Sequence, residues 1–134
     1  MSDVVLNPWA ILAAALSTFI LGGVWYSPIL FARPWMEAAG LSEEDVKNGG
    51  MSRILGGAFV LSLVMAANLA AFLSGPPDLV WGMTAGALAG FGWVAMALGV
   101  IYLFERRPLK LFLVNAGYQV VAFVVMGAIL GVWK

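Results

Sequence analysis

Residues Leu79–Phe104 read "LVWGMTAGALAGFGWVAMALGVIYLF", with no Asp, Glu, Lys or Arg. About 20 helical residues, at about 1.5 Å each, cross a hydrocarbon core of roughly 30 Å, so this run is long enough to span one. A buried helix of a soluble bundle would show a polar stripe about every 3.6 residues, and none is present. Gly82, Gly86 and Gly90 recur at four-residue spacing, with Gly92, Ala95 and Gly99 beyond. Small residues in that register let a second helix approach closely, where dispersion replaces a hydrophobic driving force. The spacing marks a packing face and leaves open whether its partner lies in this chain or in another subunit.

Three further runs have the same character: "PWAILAAALSTFILGGVWYS" (Pro8–Ser27), "ILGGAFVLSLVMAANLAAFL" (Ile54–Leu73) and "LKLFLVNAGYQVVAFVVMGAILGVW" (Leu109–Trp133). The chain is therefore read as an all-α integral membrane four-helix bundle. Its spans lie at about 8–27, 54–73, 79–104 and 109–133 of a single 134-residue domain. Composition agrees, with 63% hydrophobic and 10% charged residues against a soluble average of roughly 45–50% and about 25%. A secretory leader would need a basic start, but "MSDVVLN" carries Asp3 and no Lys or Arg, so the first run is expected to remain in the protein.

Net charge is zero, which argues against a nucleic-acid partner. There is no Cys and no His, so thiolate chemistry and the commonest general base and metal ligand are missing. No catalytic residue, metal site or cofactor is assigned, and the chain is read as a non-enzyme. Lys and Arg counts set an orientation. Arg33, Lys47, Arg53, Arg106, Arg107 and Lys110 lie in the 28–53 and 105–110 connections, against Lys134 alone on the opposite face. That places both connections in the cytoplasm of an inner-membrane protein and both termini outside. "SGPPD" and "ERRP" are too short for anything but tight turns, so neighbouring spans are expected to pair as antiparallel hairpins.

The long connection opens with "GGVWYSPILFARPW" (Gly22–Trp35). Pro28 should stop or kink the first helix. Phe31, Trp35, Ala38 and Ala39 then recur with amphipathic spacing, Arg33 and Glu37 fall on the polar side, and Gly40 is a plausible C-cap. Ser42 opens a second short helix with acidic residues in its first turn, and Asn48-Gly49-Gly50 closes it. The segment 28–50 is expected to lie in the headgroup layer, with Trp25, Tyr26 and Trp35 as an aromatic belt. The sharper alternative is a lipid or ligand pocket beneath it, built from Trp25, Tyr26, Pro28, Phe31 and Trp35.

These residues resemble the signature of an uncharacterised family of small four-helix bacterial membrane proteins, a domain of unknown function. Its first helix ends in a Gly-x-x-Trp-Tyr-Ser-Pro-x-Leu-Phe pattern, here Gly22, Trp25, Tyr26, Ser27, Pro28, Leu30 and Phe31, with Trp35 following. Phe104, Glu105, Arg106, Pro108, Asn115, Gly117 and Tyr118 are similar to its closing block. The resemblance implies a four-helix membrane domain and carries over no activity.

Asn68, Thr84, Asn115 and Gln119 are polar residues within the runs. Each should face protein or water, through interhelical hydrogen bonds or, for Asn115 and Gln119 with Tyr118 or Tyr102, in a binding site. Glu105, Arg106 and Arg107 form the densest charge cluster, suited to an ion pair at a helix end or to anionic lipid. The favoured function is a structural or interaction module that self-associates as a homo-oligomer or serves a larger membrane complex in contact with membrane lipids. The alternative is a carrier or binding protein for a small apolar or lipid-like molecule.

Overall fold

The computed structural model describes residues 6–134, and within them the chain is all-helical. The expectations that rest on residues 1–5 lie outside the described residues. Helix α1 (Pro8–Trp25) is followed by two short helices, α2 (Ala32–Ala39) and α3 (Glu43–Lys47), and then by α4 (Met51–Phe72). The third long helix runs as α5 (Leu79–Ala89), a π-helical segment (Gly90–Ala95) and α6 (Met96–Glu105), and α7 (Leu109–Val132) closes the chain. Among the described residues, four helices are long and apolar enough to cross a membrane.

Helix ends follow local chemistry. The Asn7 side chain accepts hydrogen bonds from the N–H groups of Trp9 and Ala10, and Pro8 occupies the first turn, where no N–H is needed. Asp78 Oδ1 caps α5 by accepting from the Trp81 N–H at 3.0 Å. Ser42 and Asp45 form a reciprocal capping box on α3, and Gly40 closes α2 with φ +73°. The first span ends at Trp25, two residues before the expected stop, while α4 starts at Met51, three residues earlier than its apolar run.

Helix α7 is the hub. Leu111, Val114, Ala116, Ala122, Phe123, Met126 and Leu130 of α7 are buried, more than any other long helix contributes. A core of Ala10 and Ala14 from α1, Ala66, Leu69 and Leu73 from α4, and Phe123, Met126 and Leu130 from α7 sits between these three helices.

On its other side α7 meets α5 along glycine. Gly82, Gly86 and Gly90 are buried against α7. A Cβ on Gly82 would overlap the Gly127 carbonyl oxygen, one on Gly86 the Phe123 carbonyl oxygen, and one on Gly127 the Gly82 carbonyl oxygen. The Asp78 N–H donates to the Gly131 carbonyl at 2.8 Å across the same seam. The partner of this glycine face thus lies within the chain.

The π segment resets the register of that face. Gly82, Gly86 and Gly90 point at α7 in steps of four, and the next buried residue is Ala95, a step of five. Each residue adds about 100° of rotation in an α-helix, so one residue taken up by a wide turn returns the later positions to α7. Gly99 then lies against the Phe112 ring, and Tyr102 reaches Asn115.

One pairing differs from expectation. The Ser74–Asp78 turn does not produce a closed hairpin of α4 with α5. The third helix is drawn onto α7 by the glycine seam, and α4 leans on α1 and α7. A cleft of about 300 Å³, lined by Leu69 and Phe72 on one wall and Trp81, Leu88 and Trp93 on the other, separates the two helices.

Candidate functional site

Most of the singled-out residues meet where α1 ends. Ser27 precedes Pro28 and leaves the helix: its Oγ donates to the Val24 carbonyl at 2.7 Å, and the Phe31 N–H folds back to the Trp25 carbonyl at 3.0 Å. This tight return sets Trp25 and Tyr26 facing α7. The Trp25 indole N–H donates to the Val114 carbonyl at 2.9 Å, and its ring lies over Gly117, where a Cβ would come within 3.1 Å of it. Conversely, the Tyr118 hydroxyl fits beside Gly22 and donates to the Thr18 carbonyl at 2.8 Å. Two glycines, one on each helix, make room for an aromatic ring from the other.

Asn115 joins three elements. The Tyr26 hydroxyl donates to its Oδ1 at 2.7 Å, and its Nδ2 donates to the Tyr102 hydroxyl at 2.9 Å. One amide therefore satisfies a tyrosine from the α1 terminus and another from α6. Phe31 packs on Trp25 with ring centroids 4.9 Å apart, and Trp35 meets Tyr26 edge-on at 5.4 Å. Tyr118 completes the group 5.5 Å from Tyr26. Pro28 is exposed at the turn and makes none of these contacts.

Trp25 and Tyr26 bond inward to α7, so their polar atoms are used inside the protein. The reason is the turn: Trp25 and Tyr26 are consecutive at the end of α1, and both are brought to bear on Val114–Tyr118 by the reversal at Ser27–Phe31. Helix α2 lies beside α7. The Lys110 ammonium donates to Glu37 at 3.0 Å, an exposed pair of small energetic value.

Gln119, one turn beyond Asn115, does not join that network. It lines a separate cavity of about 190 Å³ between α1, α4 and α7. Thr18 and Ser62, neither singled out from the sequence, line the same space and are buried. The legible signal for them was their position: each is a hydroxyl residue near the middle of an apolar run. Asn68 and Thr84 are exposed and bond back to their own helices, to the carbonyls of Val64 at 3.1 Å and Val80 at 2.7 Å. Among the described residues they carry no interhelical bond, because a carbonyl four residues earlier accepts from a short polar side chain without a neighbour.

At the other connection, Arg107 Nε donates to Glu105 Oε1 at 3.1 Å, and both side chains are about half exposed. Arg106 takes the left-handed conformation, φ 59°, while the Arg107 N–H closes onto the Tyr102 carbonyl at 2.9 Å. This helix-ending turn usually carries glycine. Among the described residues no group of three or more carboxylates gathers as a metal site.

A family model described as "Protein of unknown function (DUF1761)" matches residues 9–131. The chain belongs to that family, a class of all-helical domain with four long apolar helices in this case. Comparison with curated proteins gives no match, and neither does comparison with solved structures.

Proposed function

We propose that the chain is a multi-pass membrane module that works by association, with a second copy or as an accessory part of a larger membrane assembly. The observation that carries this reading is the uneven packing of the four long helices. The hub α7 is wrapped, whereas Val60, Leu61, Val64 and Phe72 on α4 and Val80, Leu88, Phe91 and Trp93 on the third helix are exposed. Phe72, Leu88 and Trp93 line the cleft of about 300 Å³, a surface that lipid or another apolar helix would cover. Because Gly82, Gly86 and Gly90 are occupied by α7, association would use the α4 side of the molecule. The excess of Lys and Arg in the 28–53 and 105–110 connections supports an orientation with those segments in the cytoplasm and both termini outside.

The absence of cysteine makes the test direct. Single cysteines at Val64, Phe72 and Leu103 would be oxidised in native membranes. Efficient intermolecular crosslinks at Val64 or Phe72, with none at Leu103, support the reading. A chain that remains monomeric and crosslinks to nothing at any position overturns it. The same variants with cysteine at Lys47 or Arg107 report sidedness through an impermeant thiol reagent, and labelling from opposite sides would refute the orientation.

A second reading, a binding protein or carrier for a small lipid-like molecule, is favoured by the cavity at Gln119.

A further inference from the structure

The geometry points to a binding site for a small neutral molecule that carries one hydroxyl or carbonyl, in the cavity between α1, α4 and α7. It deepens the second reading above and does not depend on association. Three observations place it. The cavity, about 190 Å³, lies near mid-length of all three helices, at Thr18 in α1, Ser62 in α4 and Gln119 in α7. An apolar cavity of about 150 Å³ holds a benzene ring, so this one takes a molecule of roughly six to eight heavy atoms.

Its polar groups are unequally used. The Tyr118 hydroxyl donates to the Thr18 carbonyl at 2.8 Å, and the Thr18 hydroxyl donates to the Ala15 carbonyl at 2.7 Å, with Ser62 Oγ 3.3 Å away. The Gln119 amide makes no side-chain hydrogen bond among the described residues, although it is half-buried and lies far from either helix end. A primary amide in that setting offers both a donor and an acceptor; no buried side-chain polar atom is left unpartnered among the described residues, so this unbonded amide is accessible at the cavity it lines. A hydroxyl or carbonyl ligand would satisfy it.

The walls set the remaining chemistry. No Asp, Glu, Lys or Arg lines the cavity, so an ionised ligand would meet no counter-charge. Met65 and Met126, unbranched and adaptable, face the ligand's apolar body. Leu61 lines the cavity and is 66% exposed, so entry is from the α4 flank.

The test uses the whole chain in lipid nanodiscs and a pentanol carrying a photoreactive diazirine, with insertion sites read by mass spectrometry. Saturable labelling of the segments around Met65 and Met126, displaced by hexanol but by neither hexane nor hexanoate, is the expected result. Gln119→Leu should lower that labelling about tenfold while labelling at exposed Leu103 and the helical circular dichroism stay unchanged. Ala122→Leu, which fills the cavity and keeps the amide, should do the same. Should Gln119→Leu fail to fold, Ser62→Ala takes its place with an expected loss of several fold. Labelling that does not saturate, that matches Leu103 in density, or that survives both Ala122→Leu and the polar-group variant overturns the site; a cavity filled by water alone would give that pattern.

Discussion

Replacing Gly86 with alanine adds one methyl group at one of the narrowest points of the α5–α7 seam. The new Cβ would overlap the Phe123 carbonyl oxygen and come within 3.2 Å of the Val124 Cα, both parts of a backbone that cannot rotate away. Ordinary contact needs about 3.5–4.0 Å, so the helices must part by roughly 1 Å. That gap forfeits a quarter to a half of each dispersion contact. For a seam with on the order of 50 heavy-atom pairs at about 0.15 kcal/mol each, the loss is about 2–4 kcal/mol. Alanine returns about 0.5–1 kcal/mol through its better helix propensity, which leaves about 1–3.5 kcal/mol of destabilisation.

Gly57→Ala is the matched control, since nothing lies within 4 Å of a Cβ there, and it should be neutral or stabilise by up to about 1 kcal/mol. The two variants therefore differ in sign. Reversible unfolding in mixed micelles, titrated with dodecyl sulfate, measures both. Exchange of the Asp78 amide hydrogen, bonded to Gly131 across the seam, should accelerate in Gly86→Ala alone. Equal stabilities for the two variants would refute the reasoning, because only the seam distinguishes their surroundings.

Tyr26→Phe removes one hydrogen bond to Asn115 and should cost about 0.6–1.7 kcal/mol. Asn115→Leu should cost more, since it strands the hydroxyls of both Tyr26 and Tyr102, and a double-mutant cycle of Tyr26 with Asn115 should show positive coupling. Deleting Phe91 removes the extra residue of the π segment and turns α6 by about 100°. The Tyr102–Asn115 bond should be lost, and a Tyr102→Phe change should then have no further effect on stability. Arg106→Gly should stabilise the chain by about 0.5–1 kcal/mol in the same unfolding assay, because glycine tolerates φ 59° without a Cβ clash. The Asp45 carboxylate accepts one hydrogen bond from the Ser42 N–H, and chiefly that backbone bond holds its pKa below the ordinary value. A folded pKa below the unfolded one contributes stability above the unfolded value that is lost as pH falls through the folded one. Protection of the Ser42 amide should decline across that acidic window, and Asp45→Ala should abolish the decline.

The sequence was most legible where one interaction dominates. A run with no charge over Leu79–Phe104 can do little but form a long apolar helix, and Gly40, Ser42 and Pro28 each act through local backbone geometry that composition already implies. The glycine register of Gly82, Gly86 and Gly90 was visible for the same reason, but its partner was not. Gly127 and Gly131 lie some forty residues away, and only tertiary packing decides whether they or another chain fill the groove. The π segment was hidden because its cause is that packing: Gly90 and Gly92 permit a wide turn, and α7 requires it.

The aromatic stretch shows where local rules reach their limit. Tryptophan and tyrosine at a helix end suit a bilayer boundary equally well whether they face lipid or protein, since both settings offer an apolar body and a polar edge. What decides between them lies elsewhere in the chain: Gly117 leaves room for the Trp25 ring, Val114 presents a carbonyl to its N–H, and Asn115 accepts the Tyr26 hydroxyl. The same logic separates Asn115 from Gln119. They are one helical turn apart and chemically alike, yet the first finds two tyrosines and the second finds a cavity. A polar side chain within a span acquires its meaning from what stands opposite it, and in this chain Asn115 fastens α1 to α6 through α7, while Gln119 faces a cavity with its amide unbonded among the described residues.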